Sequence, residues 1–194
     1  MSKDLLIDIS RALEEKFYRE KDAELLEYLR SQSAQEQVRA ELGKASNIDD
    51  PDLLDELIRI GVTVESFTAF SLIPLVRIAW ADGEVAESER VAILQAAELE
   101  RILPGTANFQ LLEDWLKEGP QPIMLDAWRS YARGLAKALD AKSLATVKST
   151  TLEQARRVAQ AAGGFLGLGN RISKNEELAM QDLAHAFDKP TELL

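Results

Sequence analysis

Apolar residues recur along this chain at spacings of three and four, and no stretch sustains a strict apolar–polar alternation. A period near 3.6 residues predicts amphipathic helices throughout and no strand. Residues 3–31 set Leu5, Ile9, Leu13, Phe17, Leu25 and Leu29 among charges. That is the pattern of one long helix or of two meeting near Arg19, followed by a short helix over 33–45. Asp49-Asp50-Pro51-Asp52 reads as a helix start, with Asp50 capping and Pro51 in the first turn, where an N–H has no helical partner anyway. Gly61 ends that helix. Thr63 opens a segment that runs to Asp82-Gly83, and Pro74 inside it predicts a kink or a split at Ile73. Further helices are expected over 87–99 and over 108–118, the latter ended by Gly119. One more starts at Pro120-Gln121-Pro122 and carries Leu125, Trp128, Tyr131, Leu135 and Leu139 on one face. Another covers 143–162 up to Gly163-Gly164, and the last runs from Ser173 to Asp188. Eight or nine helices without strands predict an all-α, compact multi-helix bundle. Its expected organisation is an N-terminal helical extension over 1–62 and an all-helical domain over 63–189.

Composition narrows the function more than the fold. With 46% apolar residues in 194, the chain can build a core that needs no covalent staple, since folding at this length buries about 70% of the unfolded surface. It has no cysteine, which excludes disulfides, thiol catalysis and thiolate zinc sites. Lys and Arg total 23 against 33 Asp and Glu, a net charge of −10. With no basic run to offset it, that charge argues against a nucleic-acid partner. The N-terminus lacks the pattern of a signal peptide. The apolar stretch Phe70–Val76 stops at Arg77, short of the roughly 20 residues of a membrane span. A cytoplasmic protein without a membrane span is expected. Its partner is an unknown protein, and the amphipathic residues 3–31 suggest a homodimer through the N-terminal helices.

The chemistry concentrates at Trp80-Ala81-Asp82-Gly83-Glu84-Val85-Ala86-Glu87-Ser88-Glu89. Asp82, Glu84, Glu87 and Glu89 cluster there with no base before Arg90. A shift of 87 positions lays Ile172-Ser173-Lys174-Asn175-Glu176 over Val85–Glu89, matching Glu176 to Glu89 and Gly169-Asn170 to Asp82-Gly83. Ser173-Lys174-Asn175-Glu176 is a capping box, in which Ser accepts from the Glu backbone N–H and the Glu side chain accepts from the Ser N–H. In the first copy Ala86 cannot cap, so Glu89 keeps only its own half. Two readings follow. The acids satisfy helix-end amides and the positive end of the helix dipole, or they hold a hard cation through oxygen ligands, calcium or magnesium. An EF-hand loop does not fit the spacing.

The succession of an apolar helix, Ala81-Asp82-Gly83-Glu84-Val85, Glu89 and a second apolar helix resembles the TerB-like family associated with tellurite resistance. The resemblance is closest over residues 68–98, extends over about 63–188, and leaves out residues 1–62. It implies a compact helical domain with acidic residues gathered near two turns, and a role in metal-linked stress response. By motif position it carries over to Asp82, Glu89 and Glu176. This chain departs from the pattern at Gly169-Asn170, where a second Asp-Gly is expected, and so lacks one carboxylate of a two-site cluster.

The run Gly163–Gly169 follows a helix and has no Gly-Lys-Ser/Thr after it, so it is not a Walker loop. With Phe165, Leu166 and Leu168 it reads as a hydrophobic hinge. Arg171 and Lys174 beside the last helix start supply an alternative anion site on its backbone N–H groups. His185 has no neighbouring nucleophile or acid pattern, and Trp80, Trp115 and Trp128 fall at core spacings. No catalytic motif emerges. The expected function is a non-enzymatic interaction or stress-response module with weak divalent-cation binding at Asp82, Glu84, Glu87, Glu89 and Glu176. The alternative is a bundle that binds an apolar small molecule or lipid tail near the Gly163–Gly169 hinge.

Overall fold

A computed structural model describes residues 3–162 and 172–188, with side chains before Lys16 and those of Phe17, Tyr18 and Asp22 excepted. Phe165, Leu166, Leu168 and Arg171, and with them the glycine-rich hinge and Gly169-Asn170, lie outside the described residues. Nine helices and no strand appear among the described residues, and the all-α class follows. The chain divides into two compact units, Met1–Ala40 and Glu41–Leu194.

The first unit is helical throughout. Helix α1, Lys3–Ser46, is uninterrupted, where the sequence suggested one helix or two meeting near Arg19 over 3–31 and a separate short helix over 33–45, with its gap at Gln32. None of those residues breaks a helix, and no glycine or proline occurs before Gly43. Ion pairs within the helix, Lys16–Glu20, Lys21–Glu24 and Arg30–Glu27, are exposed and each contributes little. Leu25, Leu26, Tyr28 and Leu29 are all more than half exposed.

The second unit takes in the end of α1. Asn47 adopts a left-handed φ of 56°, and the Ile48 N–H returns to the Gly43 carbonyl at 3.2 Å. Leu42 and Ile48 are buried. Asp50 caps α2 (Pro51–Arg59) by accepting from the Asp52 and Leu53 N–H groups. Leu53, Leu54 and Leu57 of α2 enter the same core. The sequence seam at Gly61 therefore falls inside one packed unit, because α2 has no other place to bury its leucines. Gly61, at φ 88°, is a turn within that unit. Helix α7 (Pro122–Ala138) admits α2 closely at Gly134, where a methyl would sit 2.5 Å from Leu53 Cδ2.

Pro74 splits its segment as expected, into α3 (Phe67–Ser71) and α4 (Ile73–Ala79). Ile73, Leu75, Val76 and Ile78 are each 1% exposed or less, and a helix apolar at every position but Arg77 belongs at the centre of a core. Around α4 pack α5 (Glu87–Leu99), α7, α8 (Ala141–Ala162) and α9 (Lys174–Ala186), while α6 (Ala107–Glu118) packs on α3. Trp115 and Trp128 are core residues, the latter edge-on to Phe187 at 5.6 Å between ring centroids. His185 is exposed.

Candidate functional site

The chain leaves α4 at Trp80 and turns through Gly83, whose φ of 91° suits a residue without Cβ. It enters α5 through Ala86 in extended geometry (φ −68°, ψ 148°). Ser173 enters α9 in nearly the same geometry (φ −69°, ψ 161°). At α9 the capping box is complete. The Glu176 N–H donates to Ser173 Oγ at 3.1 Å, and the Ser173 N–H donates to Glu176 Oε2 at 2.5 Å. At α5 only the second half exists, with the Ala86 N–H donating to Glu89 Oε2 at 2.8 Å. Of the amides at the α9 start, those of Ser173 and Glu176 are thus taken by the Glu176 carboxylate and the Ser173 hydroxyl, and Lys174 is exposed.

The two helix starts meet. Glu89 and Glu176 are the two buried acidic side chains among the described residues, each 4% exposed, and they lie close enough for their carboxyl groups to act on one another. Asn175 Nδ2 donates to Asp82 Oδ1 at 2.9 Å, which ties the first turn to the second helix across the chain. Burial is the largest influence on Glu89 and pushes its carboxyl up. The Ala86 N–H opposes this, and the negative charges of Glu176 and Asp82 reinforce it. The outcome is a value of about 7 against an ordinary 4.5. Such a group holds its proton to near neutral pH, as two carboxyls brought together out of water must.

Of the five residues assigned to a cation, three therefore come together: Glu89 and Glu176 in contact, and Asp82 within electrostatic range. Glu84 and Glu87 are exposed. Among the described residues no group of three or more His, Asp or Glu side chains is set to hold a metal ion, and Asp82 is engaged by Asn175. Arg90 does not neutralise the corner, since its guanidinium donates to Glu113 Oε1 at 2.6 Å. Sequence reasoning misses Asn175, which reads there only as the middle of a capping box. No single helix among the described residues is long and apolar enough to cross a membrane. No family model, curated protein or solved structure matches the chain.

Proposed function

We propose that this chain is a non-enzymatic, TerB-like interaction module of the cytoplasm, with a role in stress response, whose acidic corner responds to protons and, weakly, to calcium or magnesium. The observation that carries this reading is the contact between buried Glu89 and Glu176, two acids from matched helix starts. Burying both is costly unless a positive charge accompanies them. The proton on Glu89 meets that need at and below neutral pH. Above it, a hard cation is the alternative positive charge, and to take it Asp82, Glu89 and Glu176 must first be drawn into a ligand set that they do not form in this structure. Asp82 must first release Asn175, and that cost makes the binding weak. The same release loosens the tie between the first turn and α9, so occupancy changes the angle between α5 and α9 and what their surfaces present to a protein partner. The resemblance over residues 63–188 supports the stress-response part of this reading. Exposed Leu25, Leu26, Tyr28 and Leu29 on α1 support a homodimer through the N-terminal helices.

Calorimetry with calcium and with magnesium at about pH 8 tests the cation branch. Small saturable heats are expected for wild type and none for Asp82→Ala. Equal, negligible heats for both would remove the cation and leave the proton alone.

A second reading is favoured by a cavity of about 460 Å³ lined by Leu152, Ile172, Met180 and Ala184, with Arg156 and Glu177 among its polar members. It lies on α8 and α9 and reaches Ile172, next to the glycine-rich run, and it suits an apolar molecule or lipid tail. Met180→Trp fills it. Loss of binding of a fluorescent fatty acid in that variant is the expected result, and unchanged binding would exclude this cavity.

A further inference from the structure

The cavity on α8 and α9 has two ends of different chemistry. Lys148 Nζ donates to Asp188 Oδ1 at 2.7 Å, which brings the early part of α8 beside the end of α9, so the two helices run antiparallel. At a rise of about 1.5 Å per residue, Leu152 and Ala184 both lie about 6 Å along the groove from that ion pair. Arg156 and Met180 both lie about 12 Å along it, and Glu177 about 16 Å. We propose that this cavity binds an apolar α-amino acid, with its side chain against Leu152, Met180 and Ala184, its carboxylate on Arg156 and its ammonium on Glu177. The assignment rests on the reading of the cavity as an apolar-ligand site and adds a doubly charged head to that ligand.

Three observations carry it. The apolar lining is open to a ligand: Leu152, Ile172, Met180 and Ala184 are each partly exposed. Covering such side chains with an apolar body is favourable, and a volume of about 460 Å³ falls within the roughly 300–1,000 Å³ usual for small-molecule sites. The second observation is the pair of charges. Arg156 on α8 and Glu177 on α9 line the same cavity from opposite walls, about one helical turn apart along it. Among the described residues neither side chain has an ion-pair or hydrogen-bond partner, so each keeps its charge for a ligand. A guanidinium suits a carboxylate through two parallel N–H donors. The third is their arrangement, with both charges toward one end and Leu152 with Ala184 toward the other. A molecule that carries acid, amine and apolar side chain on one carbon meets all three features at once. A fatty acid meets Arg156 but sets its carboxylate beside Glu177, so its tail alone holds it there.

The experiment is titration of the full chain with phenylalanine, N-acetylphenylalanine, phenylalanine amide and N-acetylphenylalanine amide, followed by methyl and amide chemical shifts. At about pH 6, where α-amino groups are protonated, these share one body and carry both charges, the negative one, the positive one and none. Saturable shifts at Leu152 and Met180 are expected with phenylalanine. Its affinity should exceed that of either singly blocked form about threefold and that of the doubly blocked form about tenfold, as two exposed ion pairs allow. In R156Q phenylalanine should bind no better than its amide, and in E177Q no better than its N-acetyl form. The exchange R156E/E177R should restore the preference for the zwitterion. No saturation with phenylalanine, equal affinity for all four probes, or an unchanged ranking in both single variants overturns the proposal. Four equal affinities that are all lost in Met180→Trp would remove the charged head and keep the apolar site. A fatty acid that binds and is lost in Met180→Trp, with no response to any phenylalanine probe, would leave the apolar-tail reading alone.

Discussion

The substitution Glu89→Gln removes a titrating group while keeping its shape. The carbonyl oxygen of the new side chain can still accept from the Ala86 N–H, as Glu89 Oε2 does now at 2.8 Å, and its amide can donate to Glu176. What disappears is the proton that the folded chain must surrender. In wild type the carboxyl titrates at about 7 when folded, against an ordinary 4.5. Between those values the folded chain binds more protons than the unfolded one, so this group's contribution to stability falls as pH rises through the window and is flat above it. At about 1.4 kcal/mol per tenfold change in proton affinity, the whole window corresponds to roughly 3 kcal/mol.

Urea unfolding followed by circular dichroism, on wild type and Glu89→Gln between about pH 4.5 and pH 8, isolates that contribution. Asp140 and Asp188, which hydrogen bonds to Ser143 and Lys148 hold below their ordinary value, slope the other way but cancel in the difference. The two proteins should be about equal in stability at the acid end. The variant should gain steadily to roughly 3 kcal/mol at the alkaline end. A difference that stays flat with pH, or a variant less stable than wild type at about pH 8, would refute the picture of two acids competing for one proton in a buried corner.

Ala86 already has the extended geometry of a cap residue, so Ala86→Ser should complete the α5 box and raise stability by about 1 kcal/mol, while Ser173→Ala should cost α9 about the same; thermal melts of the pair check both signs. Asn175→Ala frees Asp82 from its 2.9 Å hydrogen bond and should increase the calorimetric response to calcium, whereas an unchanged response would argue that Asp82 takes no part. A double-mutant cycle on Arg90 and Glu113, half-buried and 2.6 Å apart, should return a coupling of about 1 kcal/mol, above the usual surface pair. Leu25→Glu with Leu29→Glu should lower the solution mass of the full chain, measured by light scattering, if α1 mediates self-association; an unchanged mass excludes that role.

Helix ends are the most legible part of this chain because capping chemistry is local. Asp50 with Pro51, Gly119 before Pro122, and Ser173 with Glu176 each specify a boundary within four residues, and each stands where expected. The continuity of α1 is not legible, since serine and glutamine neither favour nor forbid a helix strongly enough to decide it. The unit boundary escapes the sequence for a different reason. The core entered by Leu42, Ile48 and Leu53 depends on what lies opposite them in space, and Gly61 marks a turn without saying on which side the next helix packs. The acidic corner sits between these cases. The repeat offset alone suggests that Glu89 and Glu176 occupy equivalent positions, and local capping explains why each side chain bends back to its own helix start. That they also meet depends on α5 and α9 both packing around α4 and α8, a tertiary fact with no local signature. The exposed Glu84 and Glu87 make the same point in reverse. Four acids within eight residues look like one cluster along the chain, but helical geometry turns Glu87 outward and Glu89 inward, and the acid that completes the corner lies on the last helix.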